Sequence, residues 1–303
     1  YSGSQDFYQT PATGVDSINP LIPFEEQHDR GAKTLLGGHG LPSGQTASQD
    51  LESVIDNVFG HPNVAPFICR RLIQRMVTSN PSPAYLYRVS GVFNDNGDGV
   101  RGDLGAVVKA ILLDPEAREM STSDGAGKVR EPLLRLSNLM RGCYREPSSN
   151  PPTLGRFVFP DTTKQYGQSP LGAQTVFNFF EPDYSLSGPL MEAGLFAPEF
   201  QIVTELVAVD MANHLYDGIR SGFYVDSSHV QRLGVNLSKL EALVGNPDDL
   251  LNRLEKVLVG RRLASETRAH IKAAIAPYAD DPTDTAKTVL QVLVASPEFA
   301  IQR

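Results

Sequence analysis

Apolar residues recur at helical spacing along most of the chain. Leu51, Val54, Ile55 and Val58 follow the i, i+3, i+4, i+7 rule, with Ser48 placed to cap the helix and Gly60 to end it. A second helix is predicted from near Pro62. Ile68, Cys69, Leu72, Ile73, Met76 and Val77 form its wide inward stripe, and Arg70, Arg71, Gln74 and Arg75 fall opposite. A third runs over 82–93 with Pro83 in its first turn. A fourth starts at Asp103, a capping residue, and carries Leu104, Val107, Val108, Ile111 and Leu112. It ends at Asp114-Pro115-Glu116, which can open a new turn.

Leu133, Leu136, Leu139 and Met140 define a further helix, and 199–220 reads as one long helix. Asn246-Pro247-Asp248-Asp249 is a complete start signal: a cap, a first-turn Pro and two carboxylates at the positive end of the helix dipole. Ser265 and Pro282 start two more. Residues 1–45 read as loop with a strand pair at 23–24 and 34–36, and 223–225 as a short strand. The Pro/Gly-rich stretch 146–198 is long for a loop. Its Phe177, Phe179, Phe180, Tyr184 and Phe196 predict that it lies over the core. About nine helices result. The expected fold class is mainly α, a multi-helix globular, bundle-like domain with long Pro/Gly-rich loops and at most a few short strands. It spans 1–303 as one helical domain, with sub-lobes 46–145 and 199–303 joined by 146–198. The segment 106–118 echoes 288–303, each an amphipathic helix followed by Asp/Ser-Pro-Glu; we read this as one helix-stop, helix-start device used twice.

At 303 residues the chain buries a sizeable core. No run is apolar enough to span a membrane. A net charge of -8 gives no general attraction to nucleic acid. Two cysteines, Cys69 and Cys143, exclude a disulfide-dense scaffold and a four-thiolate zinc site, and leave open whether they pair.

Four groups carry candidate chemistry. In the loop 94–103, Asn94, Asn96 and Asp98 stand at positions 1, 3 and 5 of a calcium loop, with Gly99 at position 6 and the Val100 carbonyl at 7. Position 12 is Gly105 rather than Glu, so Asp103 would have to close a shortened loop. The alternative is a bare Asn/Asp/Gly turn that caps the next helix. Second, His28 and Asp29, among Glu25, Glu26, Lys33 and His39, suit acid–base work or a metal, or a loop-ordering hydrogen bond. Third, Asp210, His214 and Asp217 share one helical face, as ion ligands or as a solvated surface. Fourth, Arg70, Arg71, Arg75 and Arg88 suit an anion or internal ion pairs. No HExxH, CxxC, GxSxG or GxxxxGK[ST] occurs and no dinucleotide fingerprint is visible, so no nucleotide cofactor is expected.

HDRGAKTLLG at 28–37, the stretch 61–118 with its SNPSPAY, VFNFFEPDY within 168–202, and VLVASPEFAIQR near the end together resemble the bacterial domain of unknown function 1800, DUF1800, specifically its C-terminal part. The resemblance implies a mainly helical, exported protein, secreted or periplasmic, often encoded beside an alkaline-phosphatase-like partner. It also implies a further helical N-terminal half, and it supplies no catalytic residues. The expected function is that of a binding, assembly or structural protein with a calcium-stabilised loop. The alternative is a hydrolase-type enzyme acting on an extracellular polymer.

Overall fold

The computed structural model describes residues 22–119, 125–143, 159, 162–173, 175–176, 178–225 and 232–302. Its longer helices are α1 (Ala47–Phe59), α2 (Val64–Met76), α3 (Pro83–Asn94) and α4 (Leu104–Leu113), then the single turn α5 (Pro115–Arg118). Next come α6 (Pro132–Gly142) and the short α7 (Thr162–Tyr166) and α8 (Pro189–Glu192). The last third holds α9 (Glu205–Ser221), α10 (Ser238–Glu241), α11 (Pro247–Leu254), α12 (Ser265–Ile275), α13 (Pro282–Val294) and α14 (Pro297–Ala300). The nine helices read from the sequence are the nine of eight residues or more among the described residues. The others are single turns that periodicity over a long window cannot detect.

Most of the caps are the residues expected. Ser82, Asp103, Asp114 and Asn246 each accept from a backbone N–H of the next turn. Three boundaries differ. Thr46 rather than Ser48 caps α1, because Gln49 completes a capping box with it. α9 begins at Glu205, where Thr204 caps it, and Pro198–Gln201 is a separate 3₁₀ turn. The N-terminal strand pair is β1 (Lys33–Thr34) with β2 (Gly40–Leu41); residues 23–24 take no part, and the chain turns into a 3₁₀ helix at Glu25–Gln27. Two more antiparallel pairs exist among the described residues, β3 (Lys128–Val129) with β6 (Ile301–Gln302), and β4 (Phe223–Tyr224) with β5 (Arg232–Leu233).

Two hydrophobic clusters form among the described residues. The smaller joins α2, α3 and α4 through Cys69, Ile73, Tyr85, Val89, Phe93, Val107 and Ile111. The larger joins α6, α7 and α9 to α14, with Leu139, Tyr166, Leu215, Leu250, Leu290 and Phe299 enclosed. α6 thus packs with the second cluster. Cys69 and Cys143 are both buried and free, one in each. Between them run polar contacts. Lys128 and Glu199 form an ion pair of 3.2 Å with both side chains 1% exposed. Lys128 Nζ also donates to the carbonyls of Gln74 and Arg75 at the end of α2. Gln74 donates to Ser79 O and Pro182 O, Asn80 exchanges two hydrogen bonds with Phe196, and Arg75 lies 4.1 Å over Phe180. Phe180 is buried, and Phe179, Tyr184 and Phe196 are partly so, as expected; Phe177 lies outside the described residues.

The echoed segments share more than a helix stop. Glu116 of α5 accepts from Ser82 N and Oγ at the start of α3; Glu298 of α14 accepts from Thr267 Oγ1 in the first turn of α12. In both, a carboxylate two residues past the cap ties down the helix preceding the amphipathic one.

Lys128→Met alone should lower unfolding free energy by about 3–5 kcal/mol in a urea titration, since Glu199 would be left charged and enclosed. Lys128→Met with Glu199→Leu should recover at least half of that loss.

Candidate functional site

The loop 94–103 is closed from within. Asp95 Oδ1 accepts from Gly97 N and Gly99 N, and Asn96 Oδ1 from Asp98 N and Val100 N. Asn96 Nδ2 donates to Asp103 Oδ2 at 2.8 Å, and Asp103 Oδ1 caps α4 at Ala106 N. These bonds hold the Asp103 carboxyl below the usual range, the Ala106 N–H first and Asn96 second. The Val100 carbonyl accepts from Asn96 N, and Asn94 Oδ1 accepts from Arg101. The Asp98 carboxylate has no protein partner among the described residues. Arg101 also donates to the carbonyls of Phe59 and His61 and lies over the rings of Phe59 and Phe93. Gly102 is required there: at φ 79° an added Cβ would fall 2.4 Å from the Phe59 ring. Contrary to the reading that no dinucleotide fingerprint is visible, Gly97, Gly99 and Gly102 do have the GxGxxG spacing, yet the loop joins two helices with no strand before it, so the motif's context is missing.

The loop around His28 closes in the same way. His28 Nε2 pairs at 2.9 Å with Asp50 Oδ2, and Lys33 Nζ reaches the same oxygen at 2.8 Å. Asp50, the only buried residue of α1, is held below the ordinary carboxylate range, chiefly by Lys33. Asp29 turns away to accept from Gly31 N. His28 and Asp29 therefore do not act as a pair. Asp50, overlooked because it stands 22 residues away within an amphipathic pattern, is the partner. The arginines serve inside the protein: Arg88 grips Asp114 through two bonds, Arg75 reaches Glu131, Arg71 reaches Gln74 and Arg70 stacks on Phe196.

The face of α9 bearing Asp210, His214 and Asp217 lines a cavity of about 560 Å³, completed by Lys164 and Gln165 of α7 and by Tyr224 and Arg232 of the β4–β5 pair. Tyr166 and His214 meet at 2.5 Å between hydroxyl and Nδ1, and His214 packs edge-on against the rings of Tyr166 and Phe223. Gly218 makes room for this, because a Cβ there would lie 2.1 Å from Phe223. Tyr166 is fully buried, and burial pushes its phenol far up, so it keeps its proton. That proton has one acceptor among the described residues, His214 Nδ1. His214 therefore carries its own proton on Nε2. Burial holds the imidazole below its ordinary pKa, with Asp217 opposing, so the ring is neutral at neutral pH. The i, i+4, i+7 spacing announced the α9 residues. Nothing local in the sequence announced Tyr166 and Gln165, which arrive through tertiary packing.

Residues 12–301 match the family model described as protein of unknown function, DUF1800. No curated protein and no solved structure matches the chain.

Arg101→Ala removes three carbonyl-type contacts and two ring contacts, and should lower unfolding free energy by about 1–3 kcal/mol. A depressed His214 pKa adds stability that is complete above the unfolded value of 6.5 and is lost as pH falls below it. The unfolding midpoint should therefore drop between roughly pH 7 and pH 5, with a shallower slope in His214→Phe. Equal slopes would refute the assignment.

Proposed function

The chain belongs to the DUF1800 family, and from its surface we propose that it is a binding and assembly protein; that it is exported, secreted or periplasmic, rests on the family resemblance alone. One observation carries this reading. α1 is tied down at both ends, by Glu25 accepting from Ala47 N and by the Phe59 carbonyl on Arg101. The stripe between, Leu51, Val54, Ile55 and Val58, is 37–55% exposed, although its spacing is that of a core-facing helix. Four large apolar side chains in a row along one helix face are a docking surface in a folded protein. The occupant is a second apolar helical surface. The helical N-terminal half expected of the family and an alkaline-phosphatase-like partner are the two sources.

The same reading keeps a calcium ion for the loop 94–103, taken up by Asn94, Asn96, Asp98, Val100 and Asp103 once the two asparagines release their present partners. What supports it is the density of oxygen atoms on a glycine-rich turn. A second reading, a hydrolase-type enzyme acting on an extracellular polymer, draws support from the cavity at His214.

Leu51→Asp with Ile55→Asp should leave the unfolding midpoint of the isolated protein nearly unchanged and abolish its binding of an apolar dye; a loss beyond about 2 kcal/mol would mean that the stripe is core and would end the assembly reading. For the ion, the midpoint should rise in about millimolar calcium and stop rising in Asp98→Ala. Fractionation of the source cells tests export.

A further inference from the structure

We propose that the cavity at His214 is a binding site for a neutral, hydroxyl-rich ligand, a saccharide. The inference is independent of the assembly reading and gives the enzyme reading its ligand class.

The cavity's polar groups are ready but unused. Tyr166 fixes the tautomer of His214, so Nε2 presents an N–H donor with no protein acceptor among the described residues. Gln165 Oε1, on α7, is enclosed and has no hydrogen-bond partner among the described residues. A buried carbonyl oxygen without a partner is costly, and a ligand hydroxyl would relieve that cost. Asp210 and Asp217 add carboxylate acceptors, and none of the hydrogen bonds or ion pairs within the described residues uses them.

Charge then narrows the ligand. Asp210 and Asp217 line the cavity together with Lys164 and Arg232, two negative groups and two positive ones. An anionic ligand would meet the carboxylates and a cationic one the Lys and Arg, whereas a hydroxyl both donates to a carboxylate and accepts from an N–H. Arg232 is already stacked 4.2 Å over Tyr224 and donates to its hydroxyl. Several adjacent groups that both donate and accept, on a compact uncharged body, describe a sugar. A cavity of about 560 Å³ has room for one or two hexose rings.

The test is thermal unfolding and calorimetric titration of the intact chain with neutral sugars at about 10 mM: glucose, galactose, mannose, maltose, cellobiose and lactose, against citrate and spermidine as charged controls. At least one sugar should raise the midpoint, and neither control should. Asp217→Asn, at an exposed position that leaves the fold intact, should weaken that sugar by about ten-fold, because a carboxylate acceptor becomes half a donor. Tyr166→Phe should also weaken it, since Nε2 then loses its fixed proton. The proposal is overturned if no sugar binds, if citrate or spermidine binds in preference, or if Asp217→Asn leaves the affinity unchanged. If maltose, cellobiose or lactose binds and its glycosidic bond is not cleaved, the enzyme reading loses its support and this inference stands.

Discussion

An enclosed ammonium on an enclosed carboxylate is expensive unless other dipoles help, and in this fold they do. Lys128 ends on Glu199 and on two main-chain carbonyls that finish α2. Its own backbone pairs with Gln302 in the closing strand. One residue thus fastens the three-helix cluster, the chain's last strand and the aromatic segment that runs over them. Had those elements been joined by apolar contact alone, several relative placements would satisfy them about equally. A charge with a single set of partners admits one.

The polar contacts around that pair draw on segments far apart in the sequence. Ser79, Asn80 and Ser82 come from SNPSPAY, Phe180 and Pro182 from the aromatic segment, and Phe196 and Glu199 from its end. These segments lie far apart in sequence and meet at one seam. Among the described residues, Gln74 with Pro182, Asn80 with Phe196 and Arg75 with Phe180 each join partners more than a hundred residues apart.

The helices were legible because their signals are local. A cap, a first-turn proline and a repeating stripe lie within a dozen residues, and Asn246-Pro247-Asp248-Asp249 behaves as it reads. The direction of a stripe was less legible. The pattern of α1 is indistinguishable from that of α13, yet α13 is enclosed and α1 is open, because only tertiary context decides whether a partner exists. The site was partly legible. Asp210, His214 and Asp217 could be seen as one face, whereas Tyr166, which sets the proton of His214, sits 48 residues earlier on a single turn of helix. Asp50 was hidden in the same way, a carboxylate at the foot of an amphipathic helix that gains its meaning from Lys33 and His28 folding over it.

The placement of the two cysteines has a consequence for how the molecule opens. Cys69 lies in the α2–α4 cluster and Cys143 at the end of α6 in the larger one, each buried, each with its thiol pushed up by burial, to about 11 for Cys143. A thiol reagent can reach either only when its own cluster loosens, and the thiolate is scarce until then. The chain therefore carries one built-in reporter per core. The relative modification rates of the two sulfurs would show whether the clusters breathe as a single cooperative unit through Lys128 or as two.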